Sequence, residues 1–166
     1  VQVAKESRDA KGPSLTNGIS LAGRFLVLMQ GQGSAVSRKI EDESERTKLK
    51  DIVAGLELPE HLGVIIRTAG VGQTKIELQK DFQMLLKIWA KVEEAQKMES
   101  ATGPFLIYKE PDLVVRTVRD HFSSDTSQII VDNTESYKSL KDFIKLVMPR
   151  NRNLVKLYKE TKPLFS

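Results

Sequence analysis

Leu62-Gly-Val-Ile-Ile-Arg-Thr-Ala-Gly-Val-Gly72 runs from an apolar strand straight into an arginine, a hydroxyl and a glycine-bearing turn. Residues 63–67 are expected to form a buried strand, and the turn at its end suits an anion. Arg67 offers a planar fork of donors for two phosphate oxygens, Thr68 adds a hydroxyl, and Gly70 and Gly72 let backbone N–H groups come close. Thr74 and Glu77 have the spacing of a capping box, which predicts a helix whose positive end faces the same region. No Gly-Lys-Ser/Thr comes after the glycines, so the run is not a Walker P-loop. The same residues also suit a plain strand-to-helix connection whose glycines serve backbone geometry.

Upstream, residues 1–16 read as the end of a strand and a charged connection containing Lys5, Lys11, Gly12 and Pro13. Residues 19–29 are mostly apolar and long enough for a strand. Gln30-Gly-Gln-Gly33 turns it, and residues 36–40 are expected to return as its partner, carrying Arg38 and Lys39. Residues 43–56 place Leu49, Ile52, Val53 and Leu56 at helical spacing, with Leu58-Pro59 as the stop. Downstream, Leu78, Phe82, Leu85, Leu86, Trp89 and Val92 form the strongest helical stripe of the chain, over residues 74 to about 98. Trp89 lies on that stripe, which favours core packing over base stacking. Residues 99–103 are polar and small, a domain boundary. Beyond them strands over 105–108, 128–131 and 154–158 alternate with helices over 112–122 and 134–147, a small α/β arrangement.

With 166 residues, 40% of them hydrophobic, the chain is long enough for one or two small cores. No apolar stretch reaches membrane-spanning length, and Val1-Gln-Val-Ala-Lys-Glu6 has no signal-peptide layout. Cysteine is absent, so these residues form no disulfide and supply no thiolate to a metal; this is compatible with a reducing, cytoplasmic setting. The net charge of +4 is carried by residues 1–40, where Lys5, Arg8, Lys11, Arg24, Arg38 and Lys39 face Glu6 and Asp9. A basic leading segment favours a polyanionic partner, although surface lysines commonly serve solubility alone.

Several stretches occur in a telling order: Val1-Gln-Val, Lys11-Gly12, Ile19-Ser-Leu-Ala-Gly-Arg-Phe-Leu-Val-Leu-Met29, Ser37-Arg-Lys-Ile40, Leu58-Pro-Glu60, the Arg67 run, Pro104-Phe-Leu-Ile107 and Pro163-Leu-Phe-Ser166. Together they resemble the catalytic half of the bacterial ribonuclease E/G family, across essentially the whole chain. The resemblance implies an α+β internal piece. Residues 1–16 would end an RNA-binding OB-type barrel, 17–103 would form a sensor domain for RNA 5′ ends, with strands and two helices, and 104–166 would form part of a ribonuclease-H-like domain.

The resemblance also implies roles. Arg67 and Thr68 match the residues that bind a 5′-terminal monophosphate, the backbone of Val27 joins that pocket, and Gly23 lies beside the terminal nucleotide. Arg38 and Lys39 match a basic pair, commonly two arginines, that approaches the first nucleotides. Lysine at the second position keeps the charge and loses the planar fork. Lys11 and Lys5 match positions at the RNA-facing end of the barrel. The implied partner is single-stranded RNA with a 5′ monophosphate, with no DNA role and no membrane association encoded here. The parent enzyme would be a homo-oligomeric, cytoplasmic endoribonuclease of mRNA decay and rRNA processing. Its magnesium-binding aspartates and a zinc-linking cysteine pair would lie further along the parent, leaving this piece without cofactor and inactive alone.

Two other readings compete. One is a free-standing module that binds RNA 5′-phosphate ends without cutting. The other is a metal-dependent nuclease using Asp112, Asp120 and Asp132, against which Asp112 reads as a helix N-cap and Asp132 follows a short strand into a turn. His61 and His121 lie far apart, without ligand-like companions, and read as loop and surface residues. The acidic run at Glu41, Asp42, Glu43 and Glu45 reads as a helix start.

Overall fold

The structure, a computed structural model, describes residues 1–97, 104–123 and 125–163. It is a mixed α+β protein that divides into two compact units, Val1–Glu99 and Ser100–Ser166.

The first unit opens with a hairpin of β1 (Gln2–Lys5) and β2 (Ser14–Thr16). Its main sheet holds β3 (Ser20–Ala22), β4 (Leu26–Gln30), β5 (Gly33–Val36) and β6 (Leu62–Ile66), in the order β3-β4-β6-β5. β4 alternates in burial, as a strand with one covered face does; β6 is buried almost throughout, which suits a central place. β6 runs antiparallel to β4 and parallel to β5.

Two strand expectations change here. Residues 19–29 form two strands, β3 and β4, around a turn at Gly23-Arg24-Phe25. The return segment is Gly33–Val36 instead of 36–40, and its partner is β6 instead of β4. Burial decides the exchange. β6 is apolar on both faces and takes the interior, while β5, with three of its four residues exposed, goes to the edge. Gly63 makes room for it, since a Cβ there would lie 2.9 Å from the Gly33 carbonyl oxygen.

α1 (Glu43–Ala54) starts on Asp42, whose carboxylate accepts from the Glu45 N–H at 2.8 Å, and buries Leu49 and Val53. α2 (Lys75–Gln96) follows a single 3₁₀ turn at Thr68–Gly70. Its Leu78, Phe82, Leu85, Trp89 and Val92 are buried, as the stripe predicts, and Leu86 is half-buried. Each such side chain contributes roughly 1.5–3 kcal/mol through removal from water. Trp89 is a core residue whose indole N–H donates to Glu93 at 2.8 Å.

The second unit contains α3 (Leu113–His121), β7 (Ile129–Val131), α4 (Thr134–Val147) and β8 (Val155–Leu157). β7 and β8 pair in parallel, and the core gathers Val115, Val131, Leu140, Ile144 and Val155. The helices start on Asp112 and Asn133, whose side chains accept from backbone N–H groups of the first turn. The strand expected over 105–108 is not formed. Phe105, Leu106 and Ile107 are exposed, and an apolar run becomes a strand only where a neighbour supplies a ladder and cover. The boundary expected at 99–103 lies outside the described residues.

Candidate anion-binding edge of the sheet

Strand directions gather three chain segments at one edge of the main sheet. β4 begins there after the Gly23-Arg24-Phe25 turn, and β6, antiparallel to it, ends there at Arg67. β5, parallel to β6, also ends there, and the Ser37 N–H donates to the Ile66 carbonyl at 2.9 Å. Arg67 thus sits between the hairpin turn on one flank and the turn carrying Arg38 and Lys39 on the other.

The hairpin holds Arg67 closely. Its Nη1 donates to the carbonyl oxygen of Gly23 and, at 3.2 Å, to that of Arg24, while its backbone N–H donates to the Phe25 carbonyl at 2.8 Å. Arg24 lies over the Phe25 ring, 4.9 Å from the centroid, adding a second guanidinium to the edge. Thr68 is exposed and opens the 3₁₀ turn. Gly70 ends that turn against Ile66, whose Cγ2 would stand 2.9 Å from a Cβ. Gly72 has φ of +73°, a left-handed conformation that favours glycine.

The capping box read at Thr74 and Glu77 is present. The Thr74 N–H donates to the Glu77 carboxylate at 2.9 Å, and the Glu77 N–H donates to the Thr74 hydroxyl at 3.3 Å. Hydrogen bonds from Thr74, first from its backbone and then from its hydroxyl, hold the Glu77 carboxyl below its ordinary range. A carboxylate therefore already occupies the positive end of α2.

Val27 lies in β4 between Ala22 and Ile65, on the strand that leads out of the Gly23 turn. Arg38 and Lys39 are exposed in a turn braced by Arg46, whose Nη1 donates to the carbonyls of Ser37 at 3.0 Å and Ile40 at 2.9 Å. Lys5 and Lys11 belong elsewhere. Their segment is tied to the sheet through Gln2, which exchanges hydrogen bonds with the backbone of Ser20, at the end of β3 away from Gly23.

Asp81 is a site residue that the sequence reading misses. It is buried, and its carboxylate accepts from the backbone N–H groups of Arg24 at 3.0 Å, Phe25 at 2.8 Å and Leu26 at 2.9 Å. A usable signal exists: a carboxylate falls between Leu78 and Leu85 on the apolar stripe of α2, where an unsatisfied charge is not tolerated.

The remaining candidates do not converge. Asp112 caps α3, Asp120 receives Arg119 at 2.9 Å, and Asp132 is exposed. His61 meets Glu93 at 3.3 Å and is exposed, as is His121 in the last turn of α3. Among the described residues no three His, Asp or Glu side chains stand close enough to share a metal ion. An open cleft of about 640 Å³, lined by Ser44, Thr47, Lys48, Asp51, Ile52 and Lys75, shares no residue with the Arg67 edge.

This is a mixed α+β protein with arginines gathered at one edge of a four-stranded sheet. The sequence profile of the ribonuclease E/G family matches residues 20–166, and the chain belongs to that family. It is 45% identical to ribonuclease E of Haemophilus influenzae over its whole length, covering 18% of that protein. It is 43% identical to ribonuclease E of Escherichia coli, again over its whole length and 16% of the relative. With ribonuclease G of Escherichia coli it shares 36% identity over 99% of the chain and 33% of the relative. The chain thus spans a third or less of the length of these relatives.

Proposed function

We propose that this chain is the region of a ribonuclease E/G-type endoribonuclease that reads the 5′ end of single-stranded RNA. The observation that carries the proposal is the seating of Arg67 on the carbonyls of the Gly23–Arg24 turn, with Thr68 beside it and Arg38 and Lys39 leaving the neighbouring strand. A guanidinium oriented in this way presents donors to a terminal phosphate, Thr68 adds its hydroxyl and Val27 its backbone, and Gly23 borders the first nucleotide. Arg38 then meets the next phosphates with its planar fork and Lys39 as a point charge, and Lys5 and Lys11 serve RNA further along its path. Residues 1–16, 17–103 and 104–166 correspond in this reading to the end of an OB-type barrel, the 5′ sensor and part of a ribonuclease-H-like domain.

RNA cleavage belongs to the whole enzyme, a cytoplasmic homo-oligomer acting in mRNA decay and rRNA processing. Asp112 and Asp120 are engaged as helix cap and ion-pair partner, and Asp132 is exposed. In this reading the donors for magnesium and zinc belong to other parts of the whole enzyme. No hydrolytic step is assigned to the residues of this chain. Their work is selection: a site sized for one phosphate accepts a processed 5′ end and fits a triphosphate poorly.

The test compares a short single-stranded RNA carrying a 5′ monophosphate with its 5′-hydroxyl twin, by fluorescence anisotropy at fixed salt. A charge-assisted contact of this kind is worth about 1.5–3 kcal/mol, or roughly 10- to 150-fold in affinity. Tighter binding of the monophosphate RNA, lost in Arg67→Ala, is the expected result. Equal binding of the two RNAs by the unaltered chain would overturn the assignment.

A further inference from the structure

The turn at Gly23–Leu26 contains three consecutive peptide groups, and each is held on both sides. In the first, the Gly23 carbonyl accepts from Arg67 Nη1 and the Arg24 N–H donates to Asp81 at 3.0 Å. In the second, the Arg24 carbonyl accepts from Arg67 Nη1 at 3.2 Å and the Phe25 N–H donates to Asp81 at 2.8 Å. In the third, the Phe25 carbonyl accepts from the Arg67 backbone N–H at 2.8 Å and the Leu26 N–H donates to Asp81 at 2.9 Å. All three peptide dipoles therefore run between one buried carboxylate and one arginine.

We infer that Asp81 is a positioning residue for the Arg67 site, fixing the orientation of these peptide planes and, through their carbonyls, the guanidinium. The inference rests on the phosphate-binding reading for its purpose, and on the hydrogen bonds alone for its geometry. A planar peptide that turns its N–H toward Asp81 necessarily turns its carbonyl the other way, toward Arg67. Peptide flips are the ordinary failure of a tight turn, and each flip here would take an acceptor from Arg67 and a donor from Asp81 together. Asp81 is well placed to prevent this. It projects from the second turn of α2, next to the fully buried Phe82 and one turn from the fully buried Leu78 and Leu85. Gly23 completes the fit, because a Cβ at that position would stand 2.6 Å from the Asp81 carboxylate. The Asp81 carboxylate meets the N–H side of the turn, and the carbonyls of the same three peptide groups face Arg67.

The test uses the full chain and Asp81→Asn, which keeps the shape but replaces one acceptor oxygen by a donor facing three N–H groups. The preference for 5′-monophosphate over 5′-hydroxyl RNA is expected to fall about tenfold, the size of one misaligned charge-assisted contact. Affinity for the 5′-hydroxyl RNA at the same salt should stay within twofold, as a global loss of structure would not allow. In parallel, nuclear magnetic resonance should show the Arg67 side-chain N–H signals moving together with the amides of Arg24, Phe25 and Leu26. Undiminished discrimination with unmoved Arg67 signals would overturn the inference, and so would an equal loss of affinity for both RNAs. If the unaltered chain does not discriminate, the phosphate reading fails; the Arg67 signals then decide the positioning role by themselves. Should Asp81→Asn not fold, hydrogen exchange on the unaltered chain decides. Slow exchange at all three amides supports the inference, and exchange at the rate of an open turn refutes it.

Discussion

Asp81 and Arg119 are the two buried charged side chains among the described residues, one in each unit, and they are satisfied in opposite ways. The partners of Arg119 include two close to it in the chain: Asp120, at 2.9 and 3.2 Å, and Glu110, at 3.6 Å. Asp81 takes backbone donors 55 to 57 residues away. A pair made within one helix and the segment leading into it needs little of the rest of the fold. A carboxylate that collects three N–H groups from a distant hairpin is satisfied only when helix, hairpin and sheet are all assembled. The long-range contacts of Asp81 therefore tie the Arg67 edge to α2, which contacts between chain neighbours such as Arg119 and Asp120 do not do.

Breaking each charge should expose the contrast. Asp81→Ala leaves three N–H groups without their acceptor in a buried turn, and is expected to destabilise the first unit by about 4 kcal/mol. Hydrogen exchange resolved by unit would measure this, with the α3 and α4 amides as the internal reference. Gly23→Ala attacks the same contact by crowding. The added methyl meets the Asp81 carboxylate at 2.6 Å, and a loss of about 2 kcal/mol in thermal unfolding is expected, with weaker 5′-phosphate preference. Arg119→Met should cost within about 1 kcal/mol, because the side chains of Glu110 and Asp120 are 54% and 34% exposed and hydrate once released. A loss for Arg119→Met as large as for Asp81→Ala would dissolve the comparison.

Extremes of pH give the smallest and most selective separation. The Glu77 carboxyl is held below its ordinary 4.5 by Thr74, so its contribution is present above that value and is lost as pH falls through the lowered one. The Tyr108 phenol is pushed above its ordinary 10.0, first by burial and then by the Glu110 charge. Its contribution is present below pH 10.0 and is lost as pH rises through the raised value, because the unfolded chain ionises first. Acid should loosen the start of α2 first and alkali the Tyr108 segment, as amide exchange at the capping box and phenolate absorbance would record. The reverse order would contradict both assignments.

Much of this is legible in the residues. Thr74 and Glu77 announce the start of α2, Asp112 that of α3, and the spacing of Leu140 and Ile144 marks the buried face of α4. These signals are local, so a few residues contain all the physics. Pairing is not local. That β5 joins β6 instead of β4 follows from which strand is apolar on both faces and from a glycine at position 63. The run at Phe105 has strand-forming side chains and no strand, because propensity acts only through a neighbouring ladder. At the site, Arg67 is visible through its run of sequence. Its seat is not, since the carbonyls that orient it lie 43 and 44 residues upstream and the carboxylate behind them lies on α2.

Because β6 enters the sheet between β4 and β5, the arginine strand is bordered by two turns that are separated from each other in the chain. One, at Gly23–Phe25, is secured by Asp81; the other, at Ser37–Ile40, is secured by Arg46. The edge is modular in that sense. A change of length or charge in the second turn leaves the hydrogen bonds that seat Arg67 on the first in place. In the reading proposed above, selection of the end group and reach along the RNA would then be separable by mutation, one turn at a time.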